Sequence, residues 1–218
     1  MLKKLILAGI AFIFILVGSL ILIMGYVFTN PDSVFTALDR ISEKFMQGQT
    51  YEEKGEFFLQ GIDELLVTSR NVEIQLLHHD GPTLKVLLSG EIPRFESGPY
   101  INQELEQNTL HLQLTEPLTG QWLQMNVNGE EKTQVSATKL VAKFYLPKQY
   151  KKSVSIHTTN APVLIQLTSE SMYEFNLESR TGTIDDQALQ KIDTPMQPDQ
   201  VGKLKVKTDT GNIKIELD

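Results

Sequence analysis

The chain has 218 residues, with 20 Lys and Arg against 27 Asp and Glu, a formal charge of −7, four His and no Cys. This balance excludes a nucleic-acid or anionic-lipid surface, since both need clustered cations. The absence of cysteine excludes disulfide staples and a lipid-modified amino-terminal cysteine.

Leu5 to Phe28 is an almost unbroken apolar run, interrupted only by Ser19 and the glycines Gly9, Gly18 and Gly25. At about 1.5 Å per helical residue it covers the ~30 Å hydrocarbon core of a bilayer. The rival reading is a cleaved signal peptide. That reading wants a shorter apolar region and a small-x-small site, which Met24-Gly25-Tyr26-Val27-Phe28 does not supply. Lys3 and Lys4 precede the run, and Thr29-Asn30-Pro31-Asp32 follows it, so the positive end is expected in the cytoplasm and everything after Phe28 outside. The expected partner of Leu5 to Phe28 is therefore a lipid bilayer. Removing Lys3 and Lys4 from the 20 basic residues leaves 18 against 27 acidic ones, or −9 for the outer part, which is long enough for one ordinary core.

The predicted organisation is residues 1–4 cytoplasmic, 5–28 a transmembrane helix, 29–56 a juxtamembrane stalk and 57–218 an extracytoplasmic β domain. Within the stalk, Val34, Leu38, Ile41 and Phe45 recur at helical spacing after Pro31, with Ser33 placed to cap a short amphipathic helix over residues 33–46. Tyr51 to Glu56 is polar and acidic and reads as a loose connector.

From Phe57 onward the periodicity changes to two. Strands are predicted at Leu65 to Val67, Val72 to Leu76, Leu84 to Leu88 after the turn His79-Asp80-Gly81-Pro82, Thr109 to Leu114, Leu123 to Val127, Thr133 to Ala137 and Leu140 to Leu146. Asn128-Gly129 between alternating segments signals a hairpin. Two segments break the rhythm: Pro93 to Gln107 and Asp185 to Gly202.

The last third repeats one pattern three times. Val154 to Ile165, Phe175 to Asp186 and Leu204 to Ile215 share apolar, x, apolar, x, Ser/Thr, x, x, small, x, apolar. Aligned, they match Val154, Phe175 and Leu204; Ile156, Leu177 and Val206; Thr158, Ser179 and Thr208; Ala161, Gly182 and Gly211; Val163, Ile184 and Ile213. A unit this short cannot bury a core alone and must lie on its neighbours. The predicted fold class is all-β: a single β-solenoid-like stack preceded by one transmembrane helix and a short helical stalk.

The order Val72-Glu-Ile-Gln, the Asp80-Gly81 turn, Leu84-Lys-Val-Leu-Leu-Ser-Gly, Thr109-Leu-His-Leu, Phe144-Tyr-Leu-Pro147 and the repeated Thr-x-x-Gly-x-Ile turns resembles the bacterial putative-adhesin domain, also called toast-rack, over residues 61–218. The resemblance implies an extracytoplasmic β-solenoid-like domain, commonly fused to a membrane helix and in some relatives encoded with envelope-stress systems. It brings no catalytic residues. Asn160-Ala161-Pro162 and Asp185-Asp186 depart from the pattern.

Asp209-Thr210-Gly211 spells the aspartic-protease triplet, but the equivalent positions Arg180 and Thr159 make it a turn. His78-His79-Asp80 has metal-ligand chemistry at neighbouring strand positions, which point to opposite faces. Asp185-Asp186 supplies too few oxygens for calcium. No catalytic, cofactor or metal site is expected. Phe95, Tyr100 and Trp122 form the candidate aromatic contact patch for a partner, against the plain alternative that Trp122 covers a hairpin face. The expected function is a non-enzymatic, membrane-anchored envelope module that binds an envelope or membrane protein, as a stress-response accessory or a surface adhesin. The alternative is a polysaccharide hydrolase or lyase using Asp185, Asp186 or Asp209.

Overall fold

The computed structural model describes residues 2–29, 48–117, 121–127, 130–135, 139–168, 173–191 and 201–217. The chain divides into two units, Met1–Met46 and Gln47–Asp218.

The first unit holds α1 (Leu2–Thr29), a helix of 28 residues. Its side chains are described over residues 12–26, where Phe14 and Leu22 are 74% and 76% exposed. By itself that stretch covers about 22 Å, short of a ~30 Å hydrocarbon core. Among the described residues no helix is long and apolar enough to cross a membrane. The amphipathic helix expected over Ser33 to Met46 lies outside the described residues.

The second unit opens with β1 (Gly48–Phe58), whose residues pair antiparallel with β4 (Thr83–Pro93) from Gly48↔Pro93 to Phe58↔Thr83. Tyr51 to Glu56 is therefore strand and not a loose connector. Its alternation of Tyr51, Glu53 and Gly55 inward with Glu52, Lys54 and Glu56 outward is an edge-strand pattern in which charges stand in for polar loop composition.

The repeat strands are β10 (Ser153–Thr158) and β11 (Val163–Leu167), β12 (Tyr173–Ser179) and β13 (Ile184–Asp185), and β14 (Gly202–Thr208) and β15 (Ile213–Leu217). They pair in parallel, in the register that the repeat alignment dictates. Val154↔Leu204, Ile156↔Val206 and Thr158↔Thr208 join β10 to β14, while Phe175↔Leu204, Leu177↔Val206 and Ser179↔Thr208 join β12 to β14. After the corner, Ile213 pairs with both Val163 and Ile184.

The order of the copies is not sequential. The third copy lies between the first and the second, so the stack is not the progressive coil expected of a solenoid. Burial accounts for the order. Leu204, Val206 and Ile213 are each 0% exposed, whereas Ile184 is 40% exposed, and Asp185-Asp186 continues the second copy with charge. The most regular alternation occupies the interior and the polar copy takes the edge.

A fourth unit precedes these three. In β2 (Glu64–Ser69) and β3 (Glu73–His79), Leu65, Val67 and Ser69 pair with Val154, Ile156 and Thr158, and Ile74 pairs with Val163. Val72, buried, stands at the small-residue position, which disguises this unit in the sequence. Beyond it lie β6 (Thr109–Leu114), paired with β2, and β9 (Lys139–Pro147), paired with β3.

Two mixed sheets result: β1-β4-β9-β3-β11-β15-β13, and β12-β14-β10-β2-β6 ending in β5 (Ile101–Glu106). They share one buried cluster that includes Leu65, Phe144, Ile156 and Val206. The segment Pro93 to Gln107 is thus half strand, because β5 forms a hairpin with β6 through Gln107, which takes φ 52°. β7 (Gln121–Val127) and β8 (Glu130–Val135) pair antiparallel, and the Asn128-Gly129 turn expected between them lies outside the described residues.

Candidate functional site

The four corners between the paired strands share one device. Ser69 accepts the Val72 N–H at 3.0 Å, Ser179 the Gly182 N–H at 3.0 Å, and Thr208 the Gly211 N–H at 2.8 Å, while the Thr158 hydroxyl donates to the Ala161 carbonyl at 2.9 Å. A hydroxyl three residues before the bend satisfies a backbone group that the ladder leaves behind. The ladder itself runs on through the bend. Asp209 N–H donates to the Thr158 carbonyl at 3.3 Å, Thr210 N–H to the Thr159 carbonyl at 2.9 Å, and Thr181 N–H to the Asp209 carbonyl at 3.0 Å. Asp209-Thr210-Gly211 is accordingly a rung of the stack.

Outside the bend runs a polar row. The Asn160 amide donates to Asn71 Oδ1 at 2.7 Å, Thr210 donates to Asn160 Oδ1 at 3.2 Å, and Glu116 accepts the Asn71 backbone and side-chain N–H groups, each at 2.5 Å. Asn71, Glu116 and Asn160 line a cleft of about 770 Å³ together with Arg70 and Gln113. Its polar atoms largely satisfy one another.

The two histidines are held singly. The N–H of Gly81 donates to His79 Nδ1 at 3.1 Å, and His79 Nε2 lies 2.7 Å from the Thr83 carbonyl, an arrangement that assigns the Nε2–H tautomer and ties the β3–β4 turn. His78 Nδ1 lies 3.1 Å from the Gln166 carbonyl. Its Nε2 lies 3.4 Å from the Tyr173 hydroxyl, which itself donates to the Tyr150 carbonyl at 3.1 Å. Burial, with Lys151 and Lys148 adding repulsion, pushes the His78 imidazolium below its ordinary range, although the bond to Gln166 opposes this. Among the described residues no three metal-ligating side chains converge.

The three candidate contact residues do not share an environment. Tyr100 is 6% exposed and meets Tyr51 edge-on at 5.1 Å. Its backbone N–H donates to Glu53 Oε2 at 2.8 Å, the Ile101 N–H to Glu53 Oε1 at 3.3 Å, and the Tyr51 hydroxyl to the same carboxylate at 2.8 Å. Burial and then the Glu96 carboxylate push the Tyr100 hydroxyl up to about 12. Tyr100 is a loop anchor built into the core. Phe95 is 42% exposed on the same loop, while the backbone of Trp122 lies in β7 and its side chain is outside the description. Asp185 lies on the edge strand β13, its carboxylate facing the N–H of Gln187 at 3.5 Å.

A second cleft, of about 740 Å³, was not anticipated from the sequence. It opens at the end of the sheets opposite the corners, where β1 ends at Phe58 and β9 at Pro147. Phe58 on its wall is 80% exposed. Glycine at position 61, with φ 81°, turns the chain there from β1 toward β2. The adjacent Phe57 and Phe58 face opposite sides of β1, and nothing in the sequence tells which of the two is exposed.

No protein-family model and no curated protein matches the chain. Similar solved structures include a putative cell adhesion protein from Clostridium sporogenes, 9% identical over 78% of this chain and 100% of that one, with a TM-score of 0.39. A putative lipid binding protein from Parabacteroides distasonis is 14% identical over 78% of this chain and 61% of that one, with a TM-score of 0.34. A putative adhesin from the same species is 12% identical over 78% and 71%, with a TM-score of 0.29. Likenesses of this size assign neither a ligand nor an activity.

Proposed function

We propose that this chain is a single-pass membrane-anchored envelope protein whose β stack is an extracytoplasmic binding or scaffold module, serving as an accessory of an envelope-stress response or as a surface adhesin. The observation that carries the reading is α1. One 28-residue helix begins at Leu2, carries Lys3 and Lys4 in its first turn and is apolar in sequence from Leu5 to Phe28. This supports an anchor with its positive end inside. The β unit suits a scaffold because its polar motifs are engaged in structure. Asp209 is a corner, Glu53 holds a loop, and His79 ties a turn.

The test is protease protection in cells combined with in-cell crosslinking. Under this reading, a tag at the carboxyl terminus is cleaved by protease added to intact cells or spheroplasts, a tag at the amino terminus is protected, and crosslinking recovers a defined envelope protein. A protected carboxyl-terminal tag overturns the topology, and recovery of no specific envelope protein overturns the protein-partner role.

A further inference from the structure

The cleft at the end of β1 combines features that do not belong to folding. Phe58 is 80% exposed, the most exposed large apolar side chain among the described residues of the β unit, and it lines the cleft together with the exposed Pro82 and the buried Pro147. An aromatic ring left in water contributes little to stability, whereas a ring beside proline offers a flat apolar platform.

Across the cleft the lining is polar, with Asp63 facing Lys151 and Lys152. Gln60 and Gln149 are both exposed, and no hydrogen bond to another described residue ties down either amide. Both lining cations already have contacts: Lys152 pairs with Asp63 at 3.0 Å, and the Lys151 ammonium lies 5.7 Å from the centre of the Tyr173 ring. An anionic ligand would have to compete with Asp63 for Lys152 and with the Tyr173 ring for Lys151. A neutral ligand with one apolar face and a hydroxyl-bearing edge meets the ring with the first and the amides and ion pair with the second.

The position of the cleft also matters. β1 enters at Gly48 on the corner side and reaches Phe58 at the far end of its 11 residues, about 33 Å along at ~3.3 Å per step. The cleft is therefore at the end of the β unit remote from where the chain enters it.

We propose that this cleft is a binding site for a neutral oligosaccharide, with Phe58 as the stacking platform and Gln60, Gln149 and Asp63 as hydroxyl partners. This rests on the reading of the β unit as a binding module and gives that reading a ligand class. The volume is in the range of small-ligand sites.

The test uses the full chain in lipid nanodiscs, avoiding sugar-headed detergents. The probes are neutral chito-, cello- and manno-oligosaccharides, with an acidic uronic-acid oligosaccharide and a proline-rich peptide beside them. At least one neutral oligosaccharide should bind, and Phe58→Ala should weaken it about tenfold, the loss of one stacking contact. The thermal midpoint of that variant should stay unchanged because the ring is exposed. Gln149→Ala should weaken binding by a smaller factor. Binding unaffected by Phe58→Ala, preference for the acidic sugar or the peptide, or no neutral sugar bound by the folded chain overturns the proposal. If no neutral sugar binds while crosslinking still recovers an envelope protein from wild type and Phe58→Ala alike, the sugar site falls and the binding-module reading stands.

Discussion

The carbonyl oxygen of Ala161 occupies the space that a Cβ on Gly211 would need. The same relationship recurs one layer on, where the Gly211 carbonyl fills the place of a Cβ on Gly182. The small residue of the repeat is thus required by the next corner, which packs directly on it. A methyl at Gly211 must push apart two backbones joined by the Val163 N–H to Asn212 carbonyl bond of 2.8 Å. Gly211→Ala should lower stability by about 2–3 kcal/mol, at the upper end of overpacking costs. Gly182→Ala should cost less, because β12 and β13 are edge strands and give way outward. Urea denaturation of the two variants checks the order, and equal midpoints would refute the stacking account.

Thr208 is 1% exposed, and its hydroxyl is the acceptor for the Gly211 N–H. Thr208→Val keeps the shape and removes the acceptor, leaving a buried donor unpaired at a cost of about 1–3 kcal/mol. The Gly211 amide should then exchange its hydrogen faster than in wild type, while Ser179→Ala, at a half-buried corner, should have a smaller effect on stability. Unchanged exchange at Gly211 would show that the hydroxyl is not its partner.

The repeat alignment in the sequence supplied the register of the stack residue by residue, because strand partners on one buried face must present the same apolar positions. It could not supply the order of the layers. Every copy offers the same pattern to its neighbours, and only the relative burial of Ile213 and Ile184 separates an interior layer from an edge. The fourth unit was hidden because Val72 replaces the small residue. β1 was hidden because an edge strand guarded by Glu52, Lys54 and Glu56 has the composition of a loop. Of the contact candidates, Tyr100 looked like surface in a polar segment, and only its bonds to Glu53 and its contact with Tyr51 reveal a core anchor. Phe58 shows the reverse: an apolar residue in a strand is ordinarily taken for core.

The position of the third copy has a folding consequence. β14 is paired on both sides, with β10 and β12, and β15 with β11 and β13, so the last strands of the chain close a gap between earlier ones. A chain ending at Val201 would leave β12 and β13 without a ladder partner and expose the β10 and β11 edges. Such a truncation should lose the native far-ultraviolet strand signal or aggregate, and should not retain a protected β12 in hydrogen exchange. Native-like protection of Tyr173 to Ser179 in the truncated chain would contradict the strand order.

His78 gives the fold a pH dependence of definite sign. Burial, reinforced by Lys151, Lys148 and His79, holds its folded-state value below 6.5, and its Nε2 faces the Tyr173 oxygen whose own proton goes to Tyr150. The unfolded chain therefore binds a proton at this position before the folded chain does. Its contribution is fully present above about pH 6.5 and is lost as pH falls through the folded value. His157, also lowered first by burial and then by Lys205 and Lys207, acts in the same direction. Stability of the full chain should consequently fall between pH 7 and 5.5, measured as the urea midpoint at fixed ionic strength. His78→Phe removes one of the two contributions whatever it does to the midpoint at pH 7.5, so its midpoint should vary less over that interval than that of the wild type. An equal slope in the variant would mean that His78 takes up its proton equally well in both states, which its burial against Gln166 and Tyr173 does not allow.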